Sequence, residues 1–194
     1  MSKKVFVWVA HPKAGSLCEG LADAYEAGLK AEGAEVRRQN LAEMRFDLNF
    51  DGYGPDQPAL EPDLKLWQDN VAWAEHLLFV HPVWWGTLPT KAKAVLDRGL
   101  ESGFAYKYHG RGLGWDKLLD GKSADAIITS DTPPLIDSLL YGRANRKMLK
   151  NQVFGFCGVK AKSLVQLGSV KLAKPSKIQG WLRQAQNMGA RAAA

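Results

Sequence analysis

Val5-Phe6-Val7-Trp8-Val9-Ala10, followed by His11-Pro12-Lys13-Ala14-Gly15-Ser16, is the stretch that decides the fold. An unbroken run of β-branched and aromatic residues, with no polar alternation, describes a strand covered on both faces. Turn-forming residues from His11 to Gly15 end the run. Ser16 then suits the cap of a helix in which Leu17, Leu21, Tyr25 and Leu29 recur every fourth residue as far as Gly33. Strand, loop and helix in that order form the first half of a parallel β-α-β unit.

The same rhythm continues along the chain. Val36 marks a short second strand, and the Gly-, Pro- and Asp-rich stretch 47–62 reads as a long surface loop. Pro62 opens a helix carrying Leu64, Trp67, Val71 and Ala74 on one face, which leads into a buried strand, Leu77 to Val80. His81 to Pro89 cannot be regular helix, and helical spacing returns from Thr90 to Leu100. Ala124 to Thr129 reads as the fourth strand, Pro133 and Pro134 open another helix, Val153 to Cys157 reads as the fifth strand, and Lys177 to Gly189 as a C-terminal helix. The alternation predicts an α/β fold: one domain across residues 1–194, a doubly wound parallel sheet with helices on both faces. Ligands of such sheets sit beyond the carboxyl ends of the strands, beside the switch point of strand order. Chemistry is therefore sought in the loops after strands one, three and four.

Bulk properties narrow the classes. The two cysteines, Cys18 and Cys157, suit reduced thiols in the cytoplasm better than a secreted disulfide framework. The first apolar run is too short for a signal peptide, so the chain is expected to start as a mature protein, and nothing approaches the length of a membrane span. The net charge of +6 raises the question of nucleic acid, but the basic residues are scattered. The densest set, Arg143, Arg146, Lys147 and Lys150, has helical spacing and reads as a solvated helix face, so no nucleic-acid partner is expected.

Each of the three loops has a chemical and a plain reading. His11 to Cys18 brings Ser16, Leu17 and Cys18 to a helix N-terminus, where unpaired amides attract a phosphate; an ordinary Ser cap and a turn histidine explain the same residues. The stretch is neither a G-x-G-x-x-G fingerprint nor a P-loop. Pro82-Val83-Trp84-Trp85-Gly86 offers indoles to a planar ring, unless the pair plugs the core. Thr129-Ser130-Asp131-Thr132 supplies donors and acceptors to the polar edge of a ring, or simply caps the next helix. His76 and His81 lack zinc-ligand spacing, no G-x-S-x-G elbow occurs, and Gly110 to Gly114 reads as a flexible loop. No metal is expected, no catalytic side chain is assigned, and a borrowed cofactor is the natural reagent.

Taken together, the loops resemble those of the flavodoxin-like NAD(P)H:quinone oxidoreductases, which include DT-diaphorase, the modulator of drug activity and the ancillary oxidoreductases of potassium efflux systems. His81-Pro82-Val83-Trp84-Trp85-Gly86-Thr87-Leu88-Pro89, continued by Lys91 to Arg98 and Gly103-Phe104-Ala105-Tyr106, is similar to that family's P-x-W-W/F-x-x-P and G-F-A-Y signatures. Ala10-His11-Pro12 with Ser16-Leu17 resembles its flavin-phosphate loop, and Phe156-Cys157-Gly158 its strand-five F-C-G. The resemblance implies strand order 2-1-3-4-5 and a flavin, FMN in preference to FAD, near the interface of a homodimer. It places the phosphate on His11 to Leu17, the ring against Pro82 to Gly86, and Thr129 to Thr132 at the ring's polar edge. NADPH or NADH, then a small-molecule acceptor such as a quinone, would stack in turn over one ring face in a ping-pong cycle. Gly103 to Tyr106 would come from the neighbouring subunit, and Tyr106, Tyr108 and Trp85 are the residues expected to meet the acceptor.

This chain departs from the best-known members in lacking their Thr-Thr-Gly-Gly turn, the Tyr and His that follow it, and the extra C-terminal region of the long members; no histidine follows His109, so no proton relay carries over. Two alternatives share the fold: a one-electron carrier of the flavodoxin type, against which the +6 charge weighs, and a regulatory flavoprotein serving a potassium-efflux partner. Arg143 or Arg146 has a second use beside the solvated face, as a partner for the 2′-phosphate of NADPH.

Overall fold

The computed structural model describes residues 2–54, 57–110 and 112–194. Strand β1 (Lys4–Val9) is followed by α1 (Leu17–Ala31), β2 (Glu35–Asn40), α2 (Pro62–Trp73), β3 (His76–Pro82) and α3 (Thr90–Gly99). A hairpin of two short strands, β4 (Tyr106–Tyr108) and β5 (Trp115–Lys117), precedes β6 (Ser123–Thr129). The chain then forms α4 (Pro134–Leu140), α5 (Ala144–Lys147), a π-helix (Met148–Phe154), α6 (Gly155–Cys157), β7 (Lys160–Leu167), a 3₁₀ turn (Val170–Leu172) and α7 (Pro175–Ala193). The five long strands are parallel in the order β2-β1-β3-β6-β7, which is the expected 2-1-3-4-5 when the short hairpin is set aside.

Strand β1 shows why the helices lie on both sides. Its side chains alternate, and both sets are buried. Phe6, Trp8 and Ala10 join a core with Trp67, Phe79, Val95, Ile128 and Phe154; Val5, Val7 and Val9 join a second core with Leu21, Tyr25, Leu29, Trp181 and Met188. The first core is built on aromatic edges, with Trp8 meeting Trp67 at 5.4 Å and Phe79 at 4.8 Å between ring centroids. In the second, α1 and α7 approach so closely that a Cβ on Gly28 would stand 2.0 Å from the Gln186 carbonyl, and one on Gly189 2.0 Å from that of Tyr25.

The stretch expected to be the fifth strand is not one. Val153 to Cys157 belongs to the π-helix and α6, and the strand is β7, beginning at Lys160. Short apolar runs have no period that separates a buried helix segment from a buried strand. Leu149, Phe154 and Cys157 point into the first core from helical backbone, and Gly158, at φ 95°, ends the helix in a conformation that favours glycine. Strand β7 forms one edge of the sheet and carries Lys160 and Lys162, whereas β2, at the other edge, carries Arg37 and Arg38.

The described residues of 47–61 contain no regular element, and Pro62, at the end of the expected surface stretch, already opens α2. The stretch is anchored by buried Arg98, which donates to the Asp47 carbonyl (2.9 Å) and forms a two-pronged pair with Glu61 (2.8 and 2.7 Å). Gly110 to Gly114 falls within the β4–β5 connection, with Arg111 outside the described residues. Cys18 and Cys157 are free and buried, and among the described residues no helix is long and apolar enough to cross a membrane.

Candidate functional site

The carboxyl ends of β1, β3 and β6 meet around a cavity of ≈ 280 Å³. His11, Leu17 and Cys18 line it from the first loop, Pro82, Val83 and Trp84 from the second, and Thr129, Ser130 and Asp131 from the third. Ser16, Trp85, Gly86 and Thr132 are not among the lining residues. Val170, in the 3₁₀ turn after β7, completes the wall. Sequence reasoning missed Val170 because it lies on a connection whose strand was not recognised.

The first loop is held rigid by its own polar groups. Gly15, at φ +68°, turns the chain, and Ser16 caps α1 with its hydroxyl accepting the Glu19 amide at 3.4 Å. The Glu19 carboxylate reaches back to the Gly15 amide at 2.6 Å. The first two amides of α1, those of Leu17 and Cys18, remain directed at the loop, as helix geometry requires. The Lys13 amide donates to His11 Nδ1 at 3.0 Å, and the His11 ring meets Trp84 edge to face at 5.6 Å. Burial, joined by the charge of Lys13, holds His11 below its ordinary pKa.

The second loop is a tight reversal in which Trp84 and Thr87 exchange backbone hydrogen bonds of 2.9 and 3.1 Å. Trp85 and Gly86 form its tip with φ of 50° and 81°. A left-handed tryptophan is strained by about 1 kcal/mol or more. Trp84 is 46% exposed and Trp85 wholly exposed, so neither indole plugs the core. Below them His81 is completely buried, with Nδ1 2.9 Å from the Pro82 carbonyl and Nε2 without a hydrogen-bond partner among the described residues. Burial pushes its pKa down to about 4, so the ring is neutral and Nδ1–H donates to that carbonyl.

The third loop is tied to the segment after β7. Ser130 Oγ donates to the Thr132 carbonyl (3.0 Å) and accepts from Gln166 (3.2 Å), while the Asp131 carboxylate accepts the Lys171 amide (2.8 Å). Cys18 Sγ lies 3.4 Å from Thr129 Oγ1 and joins the first loop to the third. Burial lifts this thiol to about 11, so it is a neutral hydrogen-bonding group rather than a nucleophile.

Tyr106 and Tyr108 are elsewhere. They pack edge to face on each other (5.1 Å), and Phe156 contacts Tyr106 at 5.0 Å and stacks on Trp115 at 4.7 Å. Tyr106 borders a separate, largely apolar cavity of ≈ 260 Å³ with Leu96, Leu100, Met148 and Phe156. Within one chain, neither tyrosine reaches the three-loop cavity. The basic set is also divided: Arg143, Lys147 and Lys150 are exposed, whereas Arg146 pairs with buried Asp137 at 3.2 Å.

The family described as having a flavodoxin-like fold matches residues 3–188. A Haemophilus influenzae protein named an uncharacterized NAD(P)H oxidoreductase is 28% identical over 171 residues, covering 84% of this chain and 82% of its own. An NAD(P)H:quinone oxidoreductase from Methanothermobacter marburgensis superposes with a TM-score of 0.84 at 22% identity, covering 99% of this chain and 100% of that one. An FMN-dependent NADH-azoreductase from Bacillus anthracis, solved with FMN, superposes with a TM-score of 0.77 at 18% identity, covering 99% and 100%. At such identities the two structural likenesses establish the fold alone.

Proposed function

Since this chain belongs to the family with the flavodoxin-like fold, we propose that it is a flavin-dependent NAD(P)H oxidoreductase that reduces a quinone or a similar planar acceptor. The observation that carries this reading is the convergence of all three loops on one cavity at the carboxyl ends of the strands. The Haemophilus relative, named an NAD(P)H oxidoreductase, supports it. FMN is favoured over FAD, in keeping with the Bacillus azoreductase, and the hydride donor is NADPH or NADH. When bound, the flavin supplies the chemistry, taking a hydride from the nicotinamide and delivering it to the acceptor in two half-steps.

The residues present suit that cofactor. Ser16 and the Leu17 and Cys18 amides of the first turn of α1 offer donors to a phosphate without a metal. Trp84 gives the cavity a half-exposed aromatic wall, and Thr129 and Ser130 give it a polar one. Neutral His81 holds the Pro82 carbonyl and with it the start of the ring-facing loop. The chain positions flat reactants and supplies no covalent nucleophile. Because Tyr106 and Tyr108 lie outside the cavity, a second copy of the chain is the means by which they would reach an acceptor there. The two buried thiols suit a reducing, cytoplasmic setting.

The reading is tested by loading the purified protein with FMN or FAD and titrating it anaerobically with NADPH while recording the visible spectrum. Bound flavin bands that bleach in one two-electron step and return on adding quinone are expected. A reduction that stops at one electron would instead identify a carrier, and failure to bind either flavin would remove the reading altogether. Trp85 provides a second check. Being wholly exposed, it contributes little to the fold, so Trp85→Ala should alter stability by less than about 0.5 kcal/mol. Loss of an aromatic contact should raise KM for a planar quinone roughly fivefold. Unchanged steady-state kinetics in a normally folded variant would remove Trp85 from acceptor binding.

A further inference from the structure

A second polar cavity, of ≈ 340 Å³, opens at the opposite pole of the sheet, where the strands begin. Along β6, Asp125 lines this cavity and Thr129 the three-loop cavity, about 13 Å apart at ~3.3 Å per residue. Its floor is a continuous run of hydrogen bonds. Tyr25 Oη donates to Asp125 Oδ2 at 3.0 Å and therefore accepts from His76 Nε2 at 3.0 Å. His76 Nδ1 meets Ser123 Oγ at 2.8 Å, and Asp125 Oδ1 accepts the Ser163 amide at 2.9 Å. Among the described residues Asp125 supplies the one acidic side chain lining this cavity, and both its oxygens are engaged by neutral donors; Ala194, the last residue of this sequence, also lines it.

The rim is cationic. Lys3 stands before β1, Lys162 is on β7 and Arg191 is in the last turn of α7, so three separate elements each bring a positive charge to one recess. Among the described residues none of the three has an ion-pair partner. Arg191 lies close enough for its charge to act on the buried Tyr25 hydroxyl. Like charges converging on a polar recess create a positive potential that draws a counter-anion.

We propose that this cavity binds a phosphate-bearing anion. Two ammonium groups and a guanidinium fork match a doubly charged tetrahedral oxyanion better than a single carboxylate. The volume also leaves room for the organic part of a phosphate monoester. The site is independent of the three loops and of any flavin.

The test is a titration of ¹⁵N-labelled protein with inorganic phosphate, and separately with AMP, at constant ionic strength. Saturable shifts of the Ser123, Lys162 and Ser163 amides are expected, with Kd raised at least about tenfold in the Lys162→Ala, Arg191→Ala double variant. Both side chains are exposed, so the variant is expected to fold, and the undisturbed remainder of its spectrum checks this. Tighter binding of AMP assigns the site to a monoester; equal or tighter binding of inorganic phosphate assigns it to the free ion. Shifts that do not saturate, that are confined to residues 11–18, or that persist unchanged in the double variant would overturn the proposal.

Discussion

Gly28→Ala is expected to destabilise the protein by about 3 kcal/mol or more, a loss at the upper end of overpacking effects. The added Cβ would stand 2.0 Å from the Gln186 carbonyl and 2.8 Å from the Ala190 amide, both backbone atoms of α7 that no side-chain rotation can move. The helices must separate, and the core shared by Tyr25, Leu29, Ala185 and Met188 opens with them. Gly20, in the same helix, is the control. Its added Cβ would meet only Leu182 Cδ2, at 3.9 Å, so Gly20→Ala should be neutral or stabilising by up to about 1 kcal/mol through helix propensity. Chemical denaturation should thus show a lowered midpoint for Gly28→Ala and an unchanged or raised one for Gly20→Ala. Equal midpoints would show that α1 and α7 are not in contact as described.

The second large effect depends on pH and resides in His81. Its folded pKa is about 4 and the ordinary value is 6.5. Between those values the unfolded chain holds a proton that the folded protein does not, so stability falls as pH drops through this window and the loss levels off below about 4. The difference amounts to about 3 kcal/mol. His81→Asn keeps an amide donor for the Pro82 carbonyl but does not titrate. Wild type should therefore lose about 3 kcal/mol more than the variant between pH 7 and pH 4 in urea denaturation. Parallel pH profiles would show that His81 is hydrated, or charged, in the folded state.

Much of this architecture was legible from residue pattern. A strand covered on both faces announces itself as an unbroken apolar run, and Val5 to Ala10, Leu77 to Val80 and Ala124 to Thr129 all lie in the centre of the sheet. Strand β7 was not legible for the opposite reason. It lies at an edge, alternates lysine with small residues over its first half, and follows a partly buried helical stretch, Val153 to Cys157, more hydrophobic than itself. The strands of the β4–β5 hairpin are three residues each, too short for a period to register.

Of the candidate site, the residues that line the cavity from the three loops follow from where such loops must lie. Val170 does not, because its place depends on the path taken after β7. Gly28 and Gly189 carry no signal either. A glycine inside a helix becomes informative only once the helix packed against it is known.

The charged edges of the sheet bear on how the protein behaves when many copies share a small volume. An open strand edge presents unpaired amides and carbonyls on which a neighbouring molecule can build. Strands β2 and β7 carry Arg37, Lys160 and Lys162, so two approaching edges bring ammonium and guanidinium groups together before their backbones can zip, whereas Arg38 is held by Glu19, Asp23 and Glu26 of α1. The same lysines that hid β7 from a hydrophobic scan guard it against edge-to-edge aggregation.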